Sequence, residues 1–239
     1  MTIESTVLGE NRDLNIYLPL NYAEDSLKNY PVIYLLDGSK DEDFTHICGI
    51  VQFGSFSWIK MIPESIVVGI ANVDRKRDFT YPSCNENDQK DFPTAGKSEN
   101  FIGFIQKELQ PFIDSTFRTA AVKTIIGQSL SGLLATEVLF KRADLFDNYI
   151  IVSPSLWWDN ENMLNDDPST YSSKKSIYIA VGGEGEVMER TAKELYTKLN
   201  EKKANNTKLF FEFLEGKTHG DALHQAVYNA FEKIFVEEE

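Results

Sequence analysis

The sequence predicts an α/β fold in which a mostly parallel central sheet carries helices on both faces. Two observations lead there. Apolar, β-rich runs alternate with runs of helical period from one end of the 239 residues to the other, the pattern of a layered α/β unit. Several strand runs, Ile66-Val-Val-Gly-Ile70 among them, are apolar without interruption, as strands buried on both faces must be. The length is above the commonest domain size but within reach of one α/β core, so residues 1–239 are read as a single domain.

In chain order, strands are expected at Ile3–Val7, Arg12–Leu18, Val32–Leu36, Ser65–Ile70, Thr124–Ile126, Asn148–Val152, Ser176–Val181 and Leu209–Leu214. Between them, Glu99–Ser115 places Phe101, Ile105, Leu109 and Phe112 at helical spacing, with Pro111 predicting a kink or a break. Leu130–Lys141 is apolar on most faces and reads as a buried helix. Met188–Leu199 and Ala222–Phe235 each carry one apolar stripe. Asn72–Gly96 and Ser153–Ser173 fit neither period and read as long loops after strands, at the edge where open α/β sheets bind ligands.

Bulk composition excludes several function classes. With 37 acidic against 24 basic residues the formal charge is −13, a field that repels phosphate backbones and anionic lipids, so nucleic acid is not an expected partner. Cys48 and Cys84 lie far apart with no ligand spacing, which predicts two free, packed thiols, no metal site and no cofactor. No apolar run approaches a membrane span, and Met1–Ser5 lacks the basic and apolar regions of a secretory signal. A cytoplasmic protein is therefore expected, or a periplasmic or secreted one if a signal peptide has been removed. Oligomeric state is not legible.

The chemistry concentrates in Thr124-Ile-Ile-Gly127-Gln128-Ser129-Leu130-Ser131-Gly132, an apolar strand running into a helix with a serine at the corner. A nucleophile elbow needs small residues around its serine because the turn is tight; Gly127 is one, and Ser131 stands where a second glycine is usual. Ser129 is thus a candidate nucleophile, although serine is also a common helix cap.

A serine hydroxyl needs a base, and the chain has three histidines. His46 precedes the serine and His224 falls in a helical stripe, whereas His219 follows the last strand in a loop, completing the order Ser…acid…His. The acid should follow the preceding strand. There Gly182-Gly-Glu-Gly-Glu186 offers Glu184 and Glu186. Backbone donors for an oxyanion are expected from Leu130 and from the loop Asp37-Gly38-Ser39, by Ser39 or else Gly38.

With these residues assembled, the chain resembles the putative-esterase family of α/β hydrolases, the group containing enterochelin-type siderophore esterases, S-formylglutathione hydrolases and mycolyltransferases. The likeness spans nearly the whole length. It is carried by Arg12–Pro19, Tyr30–Gly38, Val68–Asn72, Arg77–Pro82, Gly127–Gly132, Ser153–Trp158 and Thr218–Gly220. The resemblance implies an α/β-hydrolase fold, Ser129 as nucleophile, His219 as base, and the Ser39 and Leu130 amides as oxyanion hole. It favours Glu186 as the acid, while some relatives work with a Ser/His pair.

The expected function is a serine carboxylesterase acting on a small-molecule ester through an acyl-enzyme. The alternatives are a siderophore trilactone esterase, an acyl thioesterase, or a non-catalytic binding domain of the same fold. Trp157 and Trp158 are expected to wall the substrate pocket. Arg75 and Arg77, in the densest basic cluster of an acidic chain, are expected to draw in an anionic substrate, against the plainer possibility of an ion-paired loop.

Overall fold

A computed structural model describes residues 1–236. Eight strands, β1 (Thr2–Ser5), β2 (Glu10–Tyr17), β3 (Tyr30–Leu35), β4 (Ile66–Ile70), β5 (Thr119–Gln128), β6 (Asn148–Val152), β7 (Lys175–Gly182) and β8 (Thr207–Leu214), form one sheet in the order β1-β2-β4-β3-β5-β6-β7-β8. β1 pairs antiparallel with β2, and β2 antiparallel with β4. From β4 to β8 every pairing is parallel. All eight sequence-predicted strands are present, with ends shifted by a few residues; β5 alone is much longer than expected.

The helices are α1 (Phe44–Gly54), α2 (Arg75–Phe79), α3 (Glu86–Asp91), α4 (Ser98–Phe104), α5 (Gln110–Thr116), α6 (Leu130–Lys141), the single turn α7 (Trp158–Glu161), α8 (Glu186–Lys202) and α9 (Ala222–Phe235). Alternation along the strands divides the core into two layers. Val32 and Tyr34 of β3 face one layer with residues of α4, α6 and α8. Ile33 and Leu35 face the other, with residues of α1 and α9.

Three departures from the sequence expectations have local causes. Helix α1 was not foreseen, although Phe44, Ile47, Cys48 and Val51 recur at helical spacing and the last three are buried. The expected loop Asn72–Gly96 contains α2 and α3, whose caps Asp74 and Asn85 accept from the amides of Arg77 and Asn87. Between α4 and α5, Ile105–Leu109 forms a π-helical turn, and the Gln110 amide reaches back to the Ile105 carbonyl. This wide turn lies directly before Pro111 and admits a residue that has no N–H and would clash in a regular helix. Of the two thiols, Cys48 is packed and its pKa is pushed up to about 12 by burial, but Cys84 is exposed rather than packed.

A buried ion network ties β2 to α2. Arg12, 1% exposed, pairs with Asp78, itself 1% exposed, and with Glu10 at 2.6 Å. Arg77 contacts the same two carboxylates, Glu10 at 2.6 Å and Asp78 at 2.8 Å. Removing one partner of such a pair leaves an uncompensated buried charge. Asp78→Ala is therefore expected to destabilise the fold by about 3–5 kcal/mol, read by chemical denaturation, with Asp78→Asn losing less.

Candidate active site

Four neighbouring parallel strands, β5 to β8, deliver the chemical groups at their C-terminal ends. Ser129 follows β5 and caps α6 with φ 64° and ψ −122°, a left-handed conformation costly for a residue with a Cβ. Its amide donates to Val152 O at 3.1 Å and its carbonyl accepts from Leu133 N at 2.9 Å, so the corner is fixed from both sides. Small residues are required around it. A Cβ on Gly127 would lie 2.4 Å from Ser131 O, and one on Gly132 2.9 Å from Val152 O.

Ser131 does more than keep its side chain small. Its hydroxyl lies 2.7 Å from Asp37 Oδ2 and 2.7 Å from Gln128 O, and it accepts from Gln128 N at 2.8 Å. Asp37, at φ 53°, also accepts from Asn72 Nδ2 at 2.7 Å and from Arg75 through Nε at 2.7 Å and Nη2 at 2.9 Å. The following Gly38 crosses β4 so closely that a Cβ would meet Gly69 Cα at 2.3 Å. Its amide donates to Ile70 O at 3.0 Å, which removes Gly38 from the two candidate oxyanion donors. The Ser39 amide has only a 3.4 Å contact with Glu42 Oε2. Leu130 is the first residue of α6, where an amide has no intrahelical acceptor.

His219 and its partner form a direct pair. His219 Nδ1 lies 2.5 Å from Glu184 Oε2, with the imidazole 48% and the carboxylate 3% exposed. The sequence preference for Glu186 is corrected by this contact. Glu186 is the exposed first residue of α8, whereas Glu184 sits on the inner side of the turn. The turn itself is capped by Glu189 Oε1, which accepts from the amides of Glu184 and Gly185 at 3.1 and 3.0 Å.

Glu184 Oε1 accepts from Gly182 N at 3.0 Å and Ser153 Oγ at 2.5 Å. Burial alone would raise the pKa of Glu184, but His219, Ser153 and the Gly182 amide outweigh it and hold the carboxyl below its ordinary value. The His219 loop is held by Gln128 Nε2, which donates to His219 O at 2.6 Å, and by Asp221, which accepts from Thr218 N at 2.6 Å.

Ser129 and His219 line one cleft of about 390 Å³ together with Asp37, Glu42, Asp43, Arg75 and Gln128. Asp43 has its pKa raised to about 6, by burial first and then by Asp37 and Glu42. Of the expected substrate residues, only Arg75 lines this cleft, with Nε and Nη2 engaged by Asp37 and Nη2 also 3.3 Å from Gln128 O. Arg77 does not line it, because its guanidinium is spent on Glu10 and Asp78.

The two tryptophans are absent from the lining as well. Trp158 is 1% exposed and donates from Nε1 to Tyr81 O at 2.9 Å. Trp157 packs on Trp158 and Phe92. Both rings anchor the segment carrying α3, the core-packing outcome for adjacent large aromatics. His46 and His224 pack edge to face at 5.1 Å, and neither lines the cleft. Asp37, Asn72 and Ser153 were missed as site residues, although each lies within or at the end of a segment that carries the family resemblance. Among the described residues, no cluster of three or more His, Cys, Asp or Glu could hold a metal ion, and no helix is long and apolar enough to cross a membrane.

Known proteins share this architecture. The family model described as Putative esterase matches residues 5–238. Ferri-bacillibactin esterase BesA of Bacillus subtilis is 29% identical over 214 residues, covering 80% of this chain and 74% of that protein. An IroE-like serine hydrolase from Shewanella oneidensis superposes with a TM-score of 0.87 at 29% identity, over 98% of this chain and 79% of its own. The BES protein from Bacillus cereus gives 0.86 at 28% identity, over 99% and 94%. The fold is the α/β-hydrolase fold.

The lowered pKa of Glu184 has a signed consequence. A carboxyl that is more acidic folded than unfolded adds stability above the unfolded value of about 4.3, and this is lost as pH falls through the folded value. Glu184→Gln is expected to melt below the wild type at neutral pH, with the gap closing below about pH 4. A pH series of thermal melts checks this, and a gap independent of pH would contradict it.

Proposed function

The chain belongs to the Putative esterase family of α/β hydrolases, and from that premise we propose that it cleaves the backbone esters of a siderophore, with Ser129 as nucleophile, His219 as base and Glu184 as acid. That it is a serine-hydrolase-type esterase follows from the family match and the near structural relatives. The observation that carries the substrate class is the lining of the cleft. All seven lining residues are polar or charged, so a fatty acyl chain would gain no burial there, while a polar, hydroxyl- and amide-rich ester finds hydrogen-bond partners. The relative from Bacillus subtilis named as a ferri-bacillibactin esterase points the same way. Iron in such a ligand is cargo on the substrate, outside the catalytic groups.

Chemically, Glu184 accepts a hydrogen bond from the Nδ1–H of His219, fixing the tautomer that leaves Nε2 free to take the proton of Ser129 Oγ. The alkoxide adds to the ester carbonyl, and the Leu130 and Ser39 amides receive the oxyanion. Collapse of the tetrahedral intermediate expels the alcohol, protonated by His219. Water, deprotonated by the same imidazole, then releases the acid and restores Ser129. Arg75 serves this site by neutralising Asp37 and fixing the loop that ends in Ser39.

Ser129→Ala and His219→Ala are each expected to lower kcat by about 10⁴-fold or more, and the double variant little further, because the two act as one unit. Hydrolysis is measured on a catecholate trilactone, a p-nitrophenyl acetate, a long-chain p-nitrophenyl ester and an acyl thioester, with phosphonate labelling of Ser129. The trilactone is expected to give the highest kcat/KM. A preference for the long-chain ester would overturn the substrate class, and absence of a Ser129 label in folded protein would overturn the nucleophile.

A further inference from the structure

Beyond the three groups assigned to the chemistry, we infer that Ser153 is a positioning residue for catalysis, its hydroxyl fixing the Glu184 carboxylate so that one oxygen alone is presented to His219. The inference rests on the triad reading above. It starts from a backbone outlier. β6 ends at Val152, and Ser153 follows with φ 43° while its amide still donates to Ala180 O at 2.7 Å. A residue with a Cβ pays for this conformation, and glycine would adopt it freely. The residue present is nonetheless serine, fully buried at 0% exposure, and the only polar group its side chain supplies is the hydroxyl.

That hydroxyl has a defined target. Ser153 Oγ donates to Glu184 Oε1 at 2.5 Å, the oxygen that also accepts from Gly182 N, while Oε2 faces His219 Nδ1. A carboxylate only 3% exposed depends on such donors to remain ionised. Without Ser153, Oε1 keeps the single backbone donor from Gly182, and the carboxylate is held less firmly about its last torsion.

The surrounding chain holds Ser153 in register with the nucleophile. Gly132 passes so close that a Cβ there would meet Val152 O at 2.9 Å and Pro154 Cα at 3.1 Å. Ser155 N donates to Ser129 O at 3.0 Å, and Ser155 Oγ lies 3.3 Å from Ser129 Oγ. One short segment after β6 therefore touches the nucleophile at one end and the acid at the other.

The test uses Ser153→Gly, which suits the backbone and removes the whole CH2OH group, with Ser153→Ala, which removes the hydroxyl alone, as a second variant should the glycine chain fold poorly. Three readouts are taken. On the preferred ester, kcat is expected to fall about tenfold with KM nearly unchanged, the size of a lost hydrogen bond to a charged group, and the acidic limb of kcat/KM to move to higher pH. The Glu184 carboxyl, followed by carbon NMR in selectively labelled protein and assigned through Glu184→Gln, is expected to titrate at higher pH. In the Glu184→Gln background, Ser153→Gly is expected to cost little more. An unmoved Glu184 titration together with additive losses would overturn the inference. The NMR arm needs no substrate, so it stands apart from the labelling and substrate experiments that test the triad itself.

Discussion

The carboxylate of Asp37 is the constraint on which the site depends. Three separate segments donate to it: Asn72 from the end of β4, Arg75 from α2, and Ser131 from α6. It is nearly buried at 8% exposure, so its charge must be compensated locally, and the bidentate guanidinium of Arg75 does this. The oxyanion loop, the elbow and the long connection after β4 thereby become one rigid body. The substitution of serine for glycine at 131 also acquires a reason, because only a side chain with a donor can join the loop to the elbow from that position.

This arrangement changes how the basic residues of the chain are understood. In a protein of formal charge −13, a cluster such as Arg75-Lys76-Arg77 suggests attraction of an anion. The packing assigns the two arginines to buried or half-buried carboxylates instead, Arg75 to Asp37 and Arg77 to Glu10 and Asp78. Lys76 is placed over the ring of Phe92. Arg77 is held outside the cleft, while Arg75 lines it beside Glu42 and Asp43.

Most of the architecture was legible because it rests on periodicity. All eight strands, the buried helix after Ser129 and the final helix follow from apolar spacing, and the elbow and His219 follow from chain order around it. What could not be read required knowledge of which side of a turn faces inward. Glu184 and Glu186 are separated by one glycine in the same turn, and only the arrival of Ser153 and His219 from neighbouring strands distinguishes them. Trp157 and Trp158 pose a related ambiguity: a large ring after a strand end can line a cleft or anchor a loop, and for Trp158 the tie between Nε1 and Tyr81 O favours the anchor. Helix α1 is the exception, since its apolar residues recur at helical spacing in the sequence itself.

The order of the four site-bearing strands has a consequence for how the protein is made. β5, β6, β7 and β8 are adjacent in the sheet and consecutive in the chain, so the groups proposed for catalysis leave the ribosome in the order Ser129, Glu184, His219. The proposed nucleophile emerges well before its proposed base. On that reading, a nascent chain that stops short of β8 carries the serine without the histidine, and a product terminated there is inert rather than a stray esterase.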